Sequence, residues 1–176
     1  MRPTAFFKSL SGQIARVKAG KPYLMFGNGE LTACKPISDR DLGAFIAGCI
    51  DAPDRLNRIL PIGGPGPALT PLEMGREMFR LTGQPEIYRK VPVALLGMIA
   101  GGLGLAGAVR PGLRVKADLA RIGRYYATES MLVYDAKAGA YDADATPEFG
   151  SDRLFDYYAE VIAGRETVDW REQAVF

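Results

Sequence analysis

Residues 59–81 carry the clearest pattern of hydrophobic and polar positions in the chain: an apolar run, a Gly/Pro turn and an amphipathic stretch. Thr70 and Glu73 have the spacing of a capping box, which satisfies free N–H groups of a first helical turn. Pro71 suits the first helical position, and Gly83 suits the left-handed backbone that ends many helices. The pattern predicts a strand, a turn and a helix, which is an α/β arrangement.

Apolar periods elsewhere predict helices and short strands on both sides of this stretch. Asn-Gly between two apolar runs predicts a hairpin, and Ser38 with Asp41 three residues later predicts a helix start. In chain order, the further predicted elements are a helix over residues 1–20, hairpin strands at 23–26 and 31–35, a helix after Ser38, a strand at 86–90, a helix from 113, a strand at 131–134 and a helix capped by Ser151.

Residues 91–109 contain no charged side chain, and their length approaches the roughly 20 residues of a membrane-spanning helix. Glycines at five of these positions lower both hydrophobicity and helix propensity. The composition therefore favours a buried helix or a helix on a membrane surface over a membrane span.

Two glycine-rich stretches have the letters of nucleotide-binding loops without their context. Residues 102–107 spell G-x-G-x-x-G, but Arg110 and Pro111 interrupt the helix that must follow this motif. The turn at residues 63–67 lacks the Gly-Lys-Ser/Thr that opens the helix of a phosphate loop. We therefore expect structural roles for both stretches.

The residue composition excludes several kinds of catalytic and binding site. A chain of 176 residues with 48% hydrophobic content is long enough for one sizeable core. It contains no histidine, which excludes Ser-His-Asp triads, histidine bases and histidine metal sites. Cys34 and Cys49 lie far apart without a C-x-x-C motif, which suits a reducing compartment. We expect no metal site. The net charge of +2 and the placement of the aromatic residues give no indication of nucleic-acid binding.

The stretch after the uncharged run is strongly basic. Two interpretations stay open: a solvated helix face, or an anion site beside an apolar surface. An apolar period on the same helix predicts one buried side formed by Val115, Leu119, Ile122 and Tyr126. The basic residues are Arg110, Arg114, Lys116, Arg121 and Arg124, and the one acidic residue among them is Asp118.

Several blocks of the sequence have no general structural explanation: RPTAFFKSL with GKPYLMFGNGELTACKPIS, LPIGGPGPALTPLE, IGRYYATESMLVYD and EQAVF. Together they cover nearly all of the chain. They closely resemble the C-terminal half of the divinyl chlorophyllide a 8-vinyl reductases, which are atypical short-chain dehydrogenase/reductases of NmrA-like type.

The resemblance implies an α/β fold, the C-terminal part of an NAD(P)-binding Rossmann-like short-chain reductase without its N-terminal nucleotide-binding half. It implies one substrate-side region over residues 1–176. Within it, residues 1–90 would end the Rossmann-like part, residues 91–134 would form the apolar and basic substrate side, and residues 135–176 would supply the last helix and the tail.

By the same resemblance, the complete protein reduces the 8-vinyl group of divinyl chlorophyllide to ethyl with NADPH. We expect this chain alone to bind no NADPH and to be inactive, because the family's glycine-rich loop precedes the Arg-Pro-Thr segment. The expected partner is divinyl chlorophyllide or a related tetrapyrrole, with no nucleic acid. Further expectations are a cytoplasmic location beside photosynthetic membranes, contact with the membrane surface and self-association through exposed apolar faces.

Site residues follow from matching the family's regions to this sequence. The catalytic acid stays unassigned, because the chain contains no Tyr-x-x-x-Lys. The resemblance implies that the cofactor's nicotinamide end lies near Arg2, Pro3, Thr4 and Phe6, and that the substrate contacts Arg121, Arg124, Tyr125, Tyr126 and Met131.

Two other classes of function remain open at this point. A non-enzymatic regulator of NmrA type would keep a dinucleotide domain and lack a large apolar pocket. A pigment-binding or membrane-surface module would instead depend on residues 91–124. The presence or absence of an apolar cavity therefore distinguishes these classes.

Overall fold

The computed structural model describes residues 1–106, 110 and 112–166, which contain helices and short strands mixed along the chain. The expected mixed α/β character is confirmed at this level. Residues 167–176, with the EQAVF block, lie outside the described ranges. The elements are β1 (Arg2–Pro3), α1 (Phe7–Leu10), α2 (Ile14–Lys18), β2 (Tyr23–Phe26), α3 (Asp39–Ala47), a 3₁₀ turn (Pro53–Arg55), β3 (Pro61–Ile62), α4 (Pro71–Thr82), β4 (Tyr88–Val91), α5 (Val93–Ala106), α6 (Gly112–Thr128), β5 (Val133–Asp135), β6 (Ala140–Asp142) and α7 (Leu154–Ile162).

Helix α4 begins and ends as its sequence predicts. The backbone N–H of Glu73 donates to Thr70 Oγ1 over 3.3 Å, and the N–H of Thr70 donates to Glu73 Oε2 over 2.8 Å. Gly83 has φ of 65°, the left-handed conformation expected at the end of a helix. The capping box and its stop signal are both confirmed.

The predicted hairpin is wrong, because β2 pairs in parallel with β4 and not with residues 31–35. The Gly27 N–H donates to Val91 O and the Leu72 N–H donates to Gly29 O, so the turn after β2 leads the chain toward α4. Cys34 then exchanges two backbone hydrogen bonds with Leu69. The strand predicted at residues 86–90 is confirmed with slightly shifted bounds as β4.

Residues 1–20 do not form one helix. Arg2 and Pro3 pair in parallel with β3, and two short helices follow, separated by a turn at Ser11. The Ser11 hydroxyl donates to Lys8 O over 2.8 Å, which helps to end α1. The strand pairing removes the first residues from the predicted helix, although its apolar period still supplies buried side chains.

Ser38 caps α3 as predicted, because its Oγ accepts the N–H of Asp41 over 3.0 Å. Ser151 does not cap α7, which begins at Leu154 after Arg153. The Ser151 N–H instead donates to Asp41 Oδ2 over 2.9 Å, in a contact between positions far apart in sequence. That contact ties the loop before α7 to the start of α3.

The main hydrophobic core lies between α2, α4 and α7. Tyr158 of α7 is fully buried there, and its hydroxyl donates to Leu10 O over 2.9 Å. A smaller cluster packs Phe45 and Phe149 edge to face, with ring centroids 5.2 Å apart. The main cluster of buried residues is Ala5, Phe7, Ile14, Val17, Tyr23, Met25, Cys34, Met74, Met78, Phe79, Leu154 and Tyr158.

Helices α5 and α6 pack chiefly against each other. In α5, Leu95, Met98 and Ile99 share one side and are exposed, Met98 by 67%. The described helices include none that is both long and apolar enough to cross a membrane.

The apolar stripe predicted to be the buried side of α6 is mostly exposed. Val115 and Ile122 face solvent and Tyr126 is 51% exposed, whereas the small residues Ala117 and Ala127 are buried. Small residues allow two helix backbones to approach closely, so α6 packs through its alanines and leaves its larger apolar side chains outward. The predicted burial of this stripe is wrong within the described residues.

The glycine turn after β3 is where four segments of the chain cross, and we call it the glycine crossing (residues 63–66). Gly63 donates its N–H to Pro147 O over 2.8 Å and accepts the N–H of Phe149 over 2.9 Å. Gly64 donates to Lys35 O over 3.2 Å. The hydroxyl of Thr4 donates to that same carbonyl.

An ion pair closes the glycine crossing. The buried Lys35 ammonium lies 2.5 Å from Glu148 Oε1, and the Gly66 N–H donates to Glu148 Oε2 over 3.1 Å. The hydrogen bond from Lys35, followed by that from Gly66, holds the pKa of Glu148 below its usual value. The carboxylate thus stays ionised beside a lysine that would be costly to bury alone.

We expect Gly64→Ala to destabilise the fold by about 3 kcal/mol, because the new Cβ would lie 1.9 Å from Pro36 O, a backbone atom that has no room to move. Gly43→Ala in α3 is the matched control, since its Cβ meets nothing within 4 Å and should stabilise the helix by about 0.5–1 kcal/mol. Urea unfolding of both variants measures the difference. Equal midpoints would contradict the crossing as a close-packed junction.

Candidate functional site

A cavity of about 570 Å³ opens between the start of the chain and the end of α6. One wall is formed by β1 and α1, a second by the segment around Cys34 and Leu69, and a third by Tyr126 and the residues just after it. Its volume falls in the ~300–1,000 Å³ range of small-molecule sites. The described residues thus form a large apolar pocket, which is the feature that a non-enzymatic regulator would lack.

Backbone hydrogen bonds fix the cavity walls. Cys34 exchanges N–H and C=O bonds with Leu69 on one side, and Met131 N–H donates to Ala33 O over 3.0 Å on the other. The Ala33 N–H in turn donates to Ser130 Oγ over 3.0 Å. The end of α6 is therefore held against a segment almost 100 positions earlier in the sequence.

Five of the nine site residues predicted from the sequence line this cavity. Pro3, Thr4 and Phe6 come from the set expected beside the cofactor, and Tyr126 and Met131 come from the set expected beside the substrate. The two sets were assigned to different ligands, and the structure brings part of each to one cavity.

The other four predicted residues do not line the cavity. Arg2 lies exposed on β1, and Tyr125 is 59% exposed and packs edge to face on Tyr126. Arg121 lies 2.5 Å from Asp118 in an exposed ion pair, while the Arg124 guanidinium lies over Gly97 of α5.

The helix geometry explains the separation between the arginines and the cavity. At ~100° per residue, Arg124 projects about 200° around α6 from Tyr126, and Arg121 projects about 140° from it. Tyr126 therefore faces the cavity while both guanidiniums lie toward α5, where Gly97 and Gly104 leave room for them. Any contact between these arginines and a ligand would occur outside the cavity itself.

Sequence reasoning missed three ionisable residues in the cavity wall: Tyr23, Cys34 and Glu129. Tyr23 and Cys34 carry no motif that distinguishes them from core residues. Glu129 belongs to the IGRYYATESM block, so the unusual character of that block was the available signal.

Two of these groups are held in their neutral forms. Burial raises the pKa of the Cys34 thiol to about 12, which rules out a thiolate nucleophile at neutral pH. Burial also raises the pKa of Tyr23, with a smaller contribution from Tyr88. A buried phenol with a raised pKa is a poor proton donor, so Tyr23 does not replace the activated tyrosine that the sequence lacks.

The described residues do not fit a dinucleotide pyrophosphate. Gly102 and Gly104 lie in the interior of α5, where backbone N–H groups bond within the helix and not toward a ligand. At the glycine crossing, the N–H groups of Gly63, Gly64 and Gly66 already have acceptors, one of them the Glu148 carboxylate. An anion there would meet a negative charge, so the phosphate-loop interpretation is excluded.

A second cavity, of about 590 Å³, lies between the start of α3 and α7. Most of the residues that line it are polar or charged, and Arg40 pairs with Asp152. Ser38 Oγ donates to the same Asp152 carboxylate over 2.6 Å. These contacts serve to join two loops. Across the described residues, no group of three or more Cys, Asp or Glu side chains could hold a metal ion.

Comparison with known proteins identifies close relatives. The chain matches no protein-family model. It is 50% identical over its full length to a protein of Cucumis sativus named divinyl chlorophyllide a 8-vinyl-reductase, chloroplastic, and covers 42% of it. Proteins of the same name in Arabidopsis thaliana and Zea mays are both 49% identical, with 41% and 44% of their lengths covered.

These matches confirm the resemblance inferred from the sequence blocks. The chain spans less than half the length of the relatives that it matches. Over its whole length it is a homologue of the divinyl chlorophyllide a 8-vinyl-reductases, consistent with a C-terminal part of such a protein.

Proposed function

We propose that this chain is the substrate-side part of a reductase that converts the 8-vinyl group of a divinyl chlorophyllide to ethyl. One observation carries the proposal: residues that the resemblance assigns to the nicotinamide end and to the macrocycle line the same cavity. Thr4 and Phe6 form one side of it, and Tyr126 and Met131 form the other. A ligand between them would touch both sets.

The character of the cavity supports a flat apolar ligand. Phe6, Leu69, Met74, Tyr126 and Met131 offer aromatic, aliphatic and thioether surfaces. Aromatic faces stack on a flat ring system, and methionine adapts to its outline. A chlorophyllide macrocycle has this shape, and the cavity disfavours the regulator class, which would need no such pocket.

The carboxylate of the pigment requires a cation within reach of the side arm that carries it. Because that carboxylate ends a side arm at the edge of the macrocycle, its partner need not line the cavity. Arg124 is the better of the two predicted arginines, since it has no carboxylate partner among the described residues, whereas Arg121 already pairs with Asp118. We assign the contact with the side-arm carboxylate, outside the cavity, to Arg124, with Arg121 as its neighbour.

In this proposal, NADPH binds to the complete protein and not to this chain alone. The described residues offer no pyrophosphate cradle, so we assign phosphate binding to the part of the relatives that this chain does not span. Pro3, Thr4 and Phe6 would then approach the nicotinamide end from the substrate side. The parallel pairs β1–β3 and β2–β4 support the assignment of residues 1–90 to the end of a Rossmann-like part.

The division of the remaining chain follows from its packing. Residues 91–134 contain the α5–α6 pair and the cavity wall at Met131, and residues 135–176 contain β6 and α7. The exposed apolar side of α5 next to the basic α6 also favours contact with an anionic membrane surface or with a second copy of the chain. This is the second candidate function, and it is compatible with the first.

A chimera tests the reductase assignment. We expect the chain, fused behind the part of the Cucumis sativus relative that it does not span, to reduce divinyl chlorophyllide with NADPH. The chain alone should show neither reduction nor saturable NADPH binding by calorimetry, because the N–H groups of Gly63, Gly64 and Gly66 already have acceptors and Gly102 and Gly104 lie inside a helix. A well-folded chimera without activity, or tight NADPH binding by the chain alone, would contradict the assignment.

Arg124→Gln should reduce the preference of the chain for the free-acid pigment over its methyl ester by roughly 10- to 100-fold, the effect of losing a charge-assisted bond of ~1.5–3 kcal/mol. Arg121→Gln should have a smaller effect because Asp118 competes for its charge. Arg80→Gln in α4, another exposed arginine with a carboxylate partner, is the control. Absorbance titration with both pigments gives the ratio, and an unchanged ratio for Arg124→Gln would remove this assignment.

A further inference from the structure

One carboxyl group faces a cavity whose walls are otherwise largely apolar. Glu129, directly after α6, is the only acidic residue among those that line the cavity in the described part of the chain. A carboxylate beside apolar surface is costly unless a donor or a cation pairs with it. The Glu129 side chain therefore needs partners, and the described residues that line the cavity include none with a positive charge.

Tyr141 of β6 orients this carboxylate. Its hydroxyl donates to Glu129 Oε2 over 2.5 Å. The hydrogen bond to Glu129, followed by burial, raises the pKa of Tyr141 to about 12, so the tyrosine remains a donor at neutral pH. An ionised carboxylate has about four lone-pair sites. One hydrogen bond thus leaves Glu129 with capacity to bind a second, positively charged group.

We propose that the Glu129 carboxylate is the axial ligand of the Mg²⁺ ion at the centre of the bound chlorophyllide. This inference rests on the proposed function and names the contact that positions its substrate. The four ring nitrogens of a chlorophyllide leave the axial positions of its Mg²⁺ open. Mg²⁺ prefers hard oxygen ligands, carboxylate above all, and the chain contains no histidine to compete.

The other heteroatoms in the cavity are weaker ligands. Cys34 and Met131 offer sulfur, which Mg²⁺ binds poorly. The side-chain amide of Gln13 is bonded at both ends to the backbone of Leu24, over 2.8 Å and 2.7 Å. Thr4 donates its hydroxyl to Lys35 O. Glu129 is left as the anionic oxygen donor of the cavity.

Charge also fixes which way the pigment lies. The Glu129 carboxylate attracts the metal and repels the carboxylate on the side arm of the pigment. The arm must then point away from Glu129, toward a cation outside the cavity, the role that the proposed function assigns to Arg124. One anionic ligand inside the cavity and a cation outside it would set a single orientation of the macrocycle.

The test compares a magnesium chlorophyllide with its magnesium-free counterpart, which has the same outline but no metal. Both are titrated into the full chain, and the long-wavelength absorption bands of the magnesium pigment report its axial coordination. We expect the wild-type chain to prefer the magnesium pigment about tenfold or more and to shift its bands to the ligated position.

Glu129→Ala should abolish both the preference and the band shift without weakening the affinity for the magnesium-free pigment. Glu129→Gln keeps an oxygen donor and should retain part of both, which an acid–base role for Glu129 would not predict. Tyr141→Phe should weaken the magnesium preference by up to about tenfold, because it removes the group that orients the ligand. Glu30→Ala, an exposed carboxylate in the turn after β2, is the control.

The outcomes separate this inference from the function on which it rests. Equal binding of both pigments by the wild-type chain, or a preference that survives in folded Glu129→Ala, overturns axial ligation and leaves the pigment cavity intact. Binding of neither pigment overturns both. Circular dichroism of each variant shows whether it is folded. If Glu129→Ala does not fold, a preserved preference and band shift in Glu129→Leu would likewise overturn the inference, and their loss would support it.

Discussion

The Lys35–Glu148 ion pair is the interaction on which the rest of the structure depends. It joins two segments more than 100 positions apart and lies over the glycine crossing, where the backbone of Gly64 meets that of Pro36 too closely for any side chain. Since Lys35 is buried, the pairing is specified strongly: a misplaced Glu148 would leave a buried charge without a partner. The crossing in turn sets where β3 ends and where α4 begins.

The cavity is a consequence of that placement. The backbone from the crossing to α4 brings Leu69 beside Cys34. On its other side, the segment around Cys34 is bonded to Met131, which follows α6. Pro3 and Thr4 reach the cavity because β1 pairs with β3 just before the crossing. The cavity is thus built from four distant segments, and its one carboxylate among the described lining residues accepts a hydrogen bond from a fifth segment, which carries Tyr141.

The sequence was sufficient to predict those helix caps whose two hydrogen-bonding residues lie within one helical turn of each other. The α4 capping box and the Ser38 cap involve residues three apart, and both were predicted correctly from the sequence. The hairpin failed because the partners of residues 31–35 are Leu69 and Met131, and the Ser151 cap failed because Asp41 binds that loop. Several cavity residues came from the family resemblance, whereas Glu129 was missed because Tyr141, which orients it, meets it only in the folded chain.

The central claim is that the chlorophyllide occupies the cavity between β1 and the end of α6. Amide hydrogen exchange of the full chain, with and without a magnesium chlorophyllide, tests this claim most directly because it maps protection along the backbone. The account predicts slower exchange with pigment in residues 3–10, 32–34 and 126–131. Protection confined to α5, or no protection at saturating pigment, would contradict it.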